Sequence, residues 1–364
     1  MPEVPTTLLF LGDRSPYGLS VARAVLASGL PLRGVIVPSR QAWTRARARA
    51  LRAGSASLTS GAGLLRRAVA RTRRAMEPLP ARIPGGEPLP TLVLDPGTTS
   101  EALEDACRAA GVEWDAVDEI RSQGFLARVR NARPNLILSA AFPLIFPREL
   151  LEIPALGAIN FHPSLLPRCR GCHPIFWTLA SGETQGGVTA HLMTEEVDAG
   201  DIVARIPLPL TEEDDYGSLY RRAMGAAAEL VAMVERFVAA GAGKGEPQDH
   251  TRASTFHEDS EEDHRIRWRH MSSGEIVALT RTGEAFTTVR GERVGILKAR
   301  EQHTIARERR AARPGLVLAT TEATLLVSAA GGPVVIHQVA WRGMGYSAGR
   351  LARAIGVERG EVLG

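Results

Sequence analysis

Six short apolar runs recur through the first 193 residues: Thr7–Leu11, Leu32–Val37, Thr91–Leu94, Leu136–Ala140, Gly157–Phe161 and Gly187–Met193. Helical patterns separate several of them, such as the one that starts at Ser100 with Glu101 and Glu104 in its first turn. Runs this short and uniformly apolar have no polar face to offer water, which is the situation of a strand covered by helices on both sides. The alternation therefore predicts an α/β fold with a doubly wound, mostly parallel sheet. In such sheets ligands gather outside the carboxyl ends of the strands, so the loops after Ala140, Phe161 and Met193 are expected to carry any site.

Past residue 212 the texture changes. From Asp214 to Ala240, Leu219, Ala223, Leu230, Val234 and Phe237 fall on one helical stripe, which predicts a single long helix. Residues 241–260 are rich in Gly and in polar and charged residues and read as a linker. Beyond them come short Val- and Leu-rich strands at 294–298, 315–319, 323–327 and 334–339, with a helix near 347–355. These predict a small β-barrel-like (OB-like) domain. The expected division is a catalytic domain at 1–212, a helix and linker at 213–260, and the OB-like domain at 261–364. No apolar run is long enough to span a bilayer. The N-terminus lacks the positive region of a signal peptide, so a cytoplasmic location and no membrane partner are expected. Three cysteines, Cys107, Cys169 and Cys172, are too few for a disulfide framework.

Charge is unevenly spread. Residues 40–82 hold eleven Arg against one acid, Glu77, which leaves a net −6 on the rest of a chain whose total is +4. Leu65, Ala68, Val69, Thr72 and Met76 recur there at helical spacing, surrounded by Arg66, Arg67, Arg71, Arg73 and Arg74. An amphipathic basic helix inserted into the α/β pattern is expected. The chain uses 42 Arg and 2 Lys, so coding bias explains Arg over Lys but not the shortage of acids. A local positive field of this kind attracts an anionic partner.

Asn160 and His162 sit two apart at the end of a strand, so both side chains share one face, and Pro163 ends regular pairing. An amide can donate to a developing oxyanion and an imidazole can take a proton from an attacking amine, a pairing suited to acyl transfer. Asp198, in the acidic loop Glu195–Asp201, is placed to orient or charge-stabilise the imidazole. His191 reads as a packed strand residue, and Asp201 as a turn carboxylate. Cys169-Arg170-Gly171-Cys172-His173 has the C-x-x-C-H form of a haem attachment site. No export signal accompanies it and a fourth metal ligand is missing, so neither haem nor metal is expected.

Asn160–Gly171 spells N-x-H-P-S-L-L-P-x-x-R-G, followed by G-V-T-x-H at 187–191 and D-x-G-D at 198–201. This combination resembles the folate-dependent formyltransferases, and its layout is closest to the methionyl-tRNA formyltransferases among them. The resemblance implies 10-formyltetrahydrofolate as formyl donor, Asn160, His162 and Asp198 as catalytic residues, and Asn160 with a protonated His162 stabilising the oxyanion. It further implies donor contacts at Phe142, Pro143, Leu144, Ser164, Leu165, Leu166, Pro167 and Val197. Two features depart from that family's pattern. The segment 40–82 stands where those enzymes carry a P-x-G-R-G-x-K loop that grips the acceptor stem, and Gly12–Tyr17 departs from their G-T-P-x-F turn. The departures leave the chemistry intact and point to a specialised small-molecule or carrier-bound amine, nucleotide-linked or on an acidic carrier, held by Arg66, Arg67, Arg71, Arg73 and Arg74. Initiator tRNA is the alternative acceptor, and a non-catalytic nucleic-acid-binding protein is a distant third reading.

Overall fold

The computed structural model describes residues 7–13, 15–39, 41, 42, 45, 83, 84, 86–89, 100–302 and 312–364. The expected strand Thr91–Leu94 lies outside them. So does the basic segment apart from Gln41, Ala42 and Arg45, including Arg66, Arg67, Arg71, Arg73 and Arg74.

In chain order the first strands are β1 (Leu8–Gly12), β2 (Leu32–Pro38), β3 (Glu87–Pro88), β4 (Glu113–Val117) and β5 (Leu136–Ala140). They are followed by β6 (Ala158–His162), β7 (Arg170–Gly171), β8 (Gln185–Leu192), β9 (Ile202–Pro209) and β10 (Thr255–Phe256). Seven of these form one sheet in the order β4-β2-β1-β5-β6-β8-β9, parallel from β4 to β6 and antiparallel at β8 and β9. The chain winds outward from β1 through β2 to β4 and then resumes on the other side at β5. The reversal between β1 and β5 opens a crevice at their carboxyl ends.

Helices α1 (Pro16–Ala27), α2 (Ser100–Ala109), α3 (Gln123–Ala132), α4 (Arg148–Leu151) and α5 (Pro174–Ala180) are interleaved with these strands. After β9 come α6 (Tyr216–Gly225) and α7 (Ala227–Ala239). Period-2 alternation along the strands feeds two cores. Leu8, Phe10, Leu136, Leu138, Ile159 and Phe161 pack against α1, α2, α6 and α7, while Leu9, Leu11, Ile137 and Ala158 pack against α3 and α4. Ser15 starts α1 with its hydroxyl accepting from Gly18 N–H and Pro16 following, a cap worth about 1 kcal/mol.

Three expectations change. The long helix over 214–240 is two helices meeting at Ala226, directly after Gly225, a poor helix former in mid-stretch. Strand β9 was not anticipated: it alternates rather than running apolar, and it carries Pro207 and Pro209, which suit a sheet edge. Because β8 runs antiparallel, the loop after Met193 leaves the sheet near the amino end of β6 rather than among the carboxyl ends.

The second sheet contains β11 (Phe286–Val289), β12 (Glu292–Glu301), β13 (Val317–Thr320), β14 (Leu325–Ala329), β15 (Gly332–Trp341) and β16 (Met344–Ser347). All are antiparallel, with β12 and β14 on either side of the long β15 and β16 folding onto its end, a curled, barrel-like arrangement. Helices α8 (Ser273–Thr280) and α9 (Ala348–Ala354) cover it. Its core holds Trp268, Ile276, Ile336, Trp341 and Leu351, and also Phe176 from α5 and Ile83 from the chain before β3. Strand β3 itself pairs with β16. The segment 241–260 is packed, not a free connector: Glu246 bridges to Ile202, Gln248 is buried, and β10 pairs in parallel with β7.

Candidate active site

Ala158 on β6 belongs to the second core, and Asn160 and His162 continue that face past the end of the covering helices, while Ile159 and Phe161 anchor the strand from behind. The antiparallel register sets His191 of β8 directly opposite Asn160. Asp198 comes over the same face on the loop between β8 and β9, with its backbone in the left-handed region (φ 52°). Its carboxylate meets His162 Nδ1 at 3.5 Å, His191 Nε2 at 3.3 Å and Asn160 Nδ2 at 3.4 Å, and accepts from Gly171 N–H at 2.8 Å. The sequence-derived trio thus comes together. His191, expected to be a packed strand residue, joins it, with Nε2 also 3.3 Å from Asn160 Nδ2. The signal for it was available, since two side chains at facing antiparallel positions share a face.

Burial governs the electrostatics. His162 is 4% exposed, and desolvation lowers its pKa despite the opposing pull of Asp198 and the Cys169 carbonyl. Its Nε2–H is assigned as the donor to Cys169 O at 2.8 Å, which leaves the Nδ1 lone pair facing the Asp198 side of the site. The imidazole is therefore neutral at rest, and the protonated His162 that the resemblance implies belongs to the step in which the oxyanion forms. Burial alone would raise Asp198, but the facing imidazoles of His162 and His191 and the hydrogen bonds from His191 and Gly171 N–H outweigh it and hold the carboxylate below the usual range. The result is a neutral base beside a fixed anion, an arrangement that accepts a proton and stabilises the imidazolium formed.

The turn after His162 is held from inside. Ser164 Oγ donates to Arg168 O at 2.8 Å, Thr189 Oγ1 donates to Ser164 O at 2.7 Å, and Leu166 N–H donates to Thr189 Oγ1 at 3.2 Å. Ser164 and Leu166 are each 1% exposed, so their side chains offer no surface to a ligand, while Leu165 and Pro167 are half-buried. Cys169, Cys107 and Cys172 are free thiols, and burial pushes Cys169 and Cys172 up to about 11, which leaves them as poor nucleophiles.

Phe142, Pro143 and Leu144 leave the sheet at the reversal between β1 and β5 and are half-buried, with Phe142 set edge-on to Phe146 at 5.7 Å. Across from them, the loop carrying Val197 is tied to α4 by Arg148 Nε and Glu195 Oε1 at 3.6 Å. Ile145 and Val197 are two of the three exposed large hydrophobics among the described residues, and they stand on these two loops. Apolar side chains left open beside a polar cluster suit a flat heterocycle with a reactive end.

A family model described as formyl transferase matches residues 97–236, and one described as the formyl transferase C-terminal domain matches residues 260–347. The chain is 36% identical to the methionyl-tRNA formyltransferase of Syntrophus aciditrophicus over 225 residues, covering 60% of this chain and 70% of the relative. Its identity to the methionyl-tRNA formyltransferase of Bacillus velezensis is 31% over 252 residues, covering 68% and 78%. Among solved structures, WlaRD, a sugar 3N-formyl transferase solved with dTDP and 5-N-formyl-THF, shares the fold with a TM-score of 0.55 at 14% identity, covering 92% of this chain and 97% of that one. The N-formyltransferase from Helicobacter canadensis gives 0.54 at 14% identity, with 91% and 99% covered.

Proposed function

The chain belongs to the folate-dependent formyltransferase family, and from that premise we propose that it transfers the formyl group of 10-formyltetrahydrofolate to a primary amine at Asn160, His162 and Asp198. The observation that carries the reading is the cluster itself, an amide donor and a neutral buried imidazole each within 3.5 Å of a depressed carboxylate. The open apolar side chains on the 142–147 and 193–197 loops fit the pterin of the donor.

Asn160 Nδ2 donates to the formyl oxygen as the amine nitrogen bonds to the formyl carbon and negative charge builds there. His162 Nδ1 accepts the proton that the amine loses. Asp198 stabilises the resulting imidazolium, so charge appears between groups already in place. Collapse breaks the bond from the formyl carbon to N10, His162 returns its proton to that nitrogen, and the products are the formamide and tetrahydrofolate.

For the acceptor, the reading is a specialised amine, small or carrier-bound, with an anionic portion. It is supported by the basic composition of residues 40–82 and by a family match that begins only at residue 97. Within the segment Arg45 pairs with Asp118 beside the catalytic sheet, and directly after it Ile83 is buried in the second domain. Initiator methionyl-tRNA is the second reading, favoured by the identity to relatives that act on it by name. The deciding experiment offers 10-formyltetrahydrofolate with methionyl initiator tRNA, a dTDP-linked amino sugar and an aminoacylated carrier protein, and looks for formylated product by mass. Product on tRNA alone replaces the first acceptor reading with the second. Consumption of the donor with none of them overturns both.

A further inference from the structure

Asp198 is held through its main chain as well as its carboxylate, and the group that holds it lies fifty residues further on. Gln248 is 6% exposed, and its Nε2 donates to Asp198 O at 2.8 Å and to Gly200 O at 2.7 Å. Its Oε1 accepts from Arg170 Nε at 3.2 Å and Nη2 at 2.7 Å. Arg170 is 3% exposed, and its remaining contacts are Glu196 Oε1 at 3.5 Å, on the same loop as Asp198, and His250 Nδ1 at 3.4 Å. Both N–H groups and the oxygen of the Gln248 amide are thus committed. Turned over, the amide would set its oxygen against two carbonyls and its NH2 against a guanidinium, so the orientation is fixed by chemistry.

The clamp reaches the other half of the site through Arg170. Strand β7 and the residue just before it supply the two backbone groups that touch the catalytic pair, Cys169 O on His162 and Gly171 N–H on Asp198. That strand is held by β10, with Arg170 N–H donating to Ser254 O at 2.8 Å and Cys172 N–H to Phe256 O at 3.2 Å. Gln248 therefore joins the Asp198 loop to the strand that orients His162.

We propose that Gln248 is a positioning residue for formyl transfer, fixing the Asp198 loop against β7 so that the carboxylate faces His162 Nδ1. This rests on the reading of Asp198 as catalytic. The test uses Gln248→Glu, which keeps the size and the Arg170 contact but replaces the two donors with an anion facing two carbonyls. Gln248→Ala guards against an effect peculiar to the added charge, and Asp198→Asn is the reference.

Two readouts are needed. Turnover of 10-formyltetrahydrofolate is followed with whichever acceptor is formylated. The titration of His162 is followed by NMR of ¹⁵N-histidine-labelled protein, which needs no acceptor. The titratable groups facing that imidazole are Asp198 and His191. Asp198 holds the His162 pKa up, so retreat of its carboxylate lowers it further. Both Gln248 variants are expected to lower the His162 pKa in the direction that Asp198→Asn does. They should also cut kcat by about 10²-fold, the loss typical of an ångström's misplacement, with little change in donor KM. The double variant Gln248→Glu/Asp198→Asn should be no slower than Asp198→Asn alone, since both act through one carboxylate. Turnover retained by Asp198→Asn would sink the catalytic reading of Asp198. If Asp198→Asn is inactive while the folded Gln248 variants keep both kcat and the native His162 titration, the positioning role is wrong and the catalytic reading stands.

Discussion

Gly200→Ala isolates how tightly the carboxylate loop must be held. A methyl group on Gly200 Cα would stand 1.9 Å from Leu192 O and 2.8 Å from Leu192 C. Both atoms are backbone, so no rotamer change relieves the contact. Carbon–oxygen contacts settle at roughly 3.3–3.6 Å, which requires a retreat of about 1.4 Å. The loop has no slack to give. Gly200 O accepts from Gln248, and Leu192 O already accepts from His191 Nδ1 at 2.9 Å. Asp198, two residues away, is then carried off its 2.8 Å bond to Gly171 N–H. A displacement of this size is worth about 10²-fold in turnover. The associated overpacking should cost about 1–3 kcal/mol of stability. The assay is initial rate per folded molecule, with thermal unfolding in parallel and Gly124→Ala as control, since Gly124 has nothing within 4 Å of its added methyl. A Gly200→Ala protein with kcat within about twofold of native, measured beside an unchanged control, would show that Asp198 tolerates the shift and that the tight-site argument is mistaken.

Other perturbations read different parts of the molecule. Asn160→Ala should lower kcat by about 10²–10³-fold while donor binding persists, checked by single-turnover rates and folate fluorescence. The His173–Asp259–His264–Glu284 network at the domain seam sets a pH dependence of stability. Bonds to Asp259 and Glu258 push His173 up to about 10, and bonds to Asp259 and Glu284 overcome burial to push His264 up to about 9. Raised folded-state values mean the stabilisation is complete below about pH 6.5 and is lost as pH rises through 9 to 10. Tm measured from pH 6 to 10 should therefore fall, and less steeply in His264→Ala. Trp341, 2% exposed with Nε1 donating to Glu292 at 2.9 Å, should cost about 3–5 kcal/mol on truncation to Ala, with turnover per folded molecule unchanged.

The strands at 136–140 and 158–162 were legible to within a residue because each is short, apolar and buried on both faces, the pattern that periodicity reads best. The shared face of Asn160 and His162 at the strand end was legible for the same reason, whereas their reading as catalytic came from the motif around them. The edge strands β4 and β9 were not, since half of each faces outward and the apolar signal dilutes. The part that positions the chemistry was least visible. Gln248, Ser254 and Glu246 sit in a Gly-rich polar stretch that looks like a linker, and their hydrogen bonds connect positions tens of residues apart with no periodicity to reveal them. What the sequence did not disclose is why the His162 imidazole, read as taking a proton from the amine, rests neutral. It is neutral because complete burial outweighs one carboxylate at 3.5 Å, a balance that only coordinates disclose.

Among the described residues the second domain contributes no side chain to the cluster, yet the site depends on how the chain reaches it. Between α7 and that domain the backbone pairs with β9 at Glu246, inserts Gln248 beneath the Asp198 loop, and lies along β7 at Thr255–Phe256. Trp177 of α5 stacks on Phe256 at 4.4 Å and donates from Nε1 to His257 O at 3.1 Å, and the neighbouring Phe176 is buried in the core of the second domain. A chain cut after residue 240 would keep Asn160, His162 and Asp198 but lose the groups that fix β7 and the Asp198 loop. Gly171 shows how closely the two strands fit, since a methyl there would stand 2.1 Å from Phe256 O. Such a fragment should bind the donor at loops 142–147 and 193–197 and turn over slowly. Adding the separate second domain without residues 241–260 should not restore the rate, because the missing contacts belong to the connecting segment.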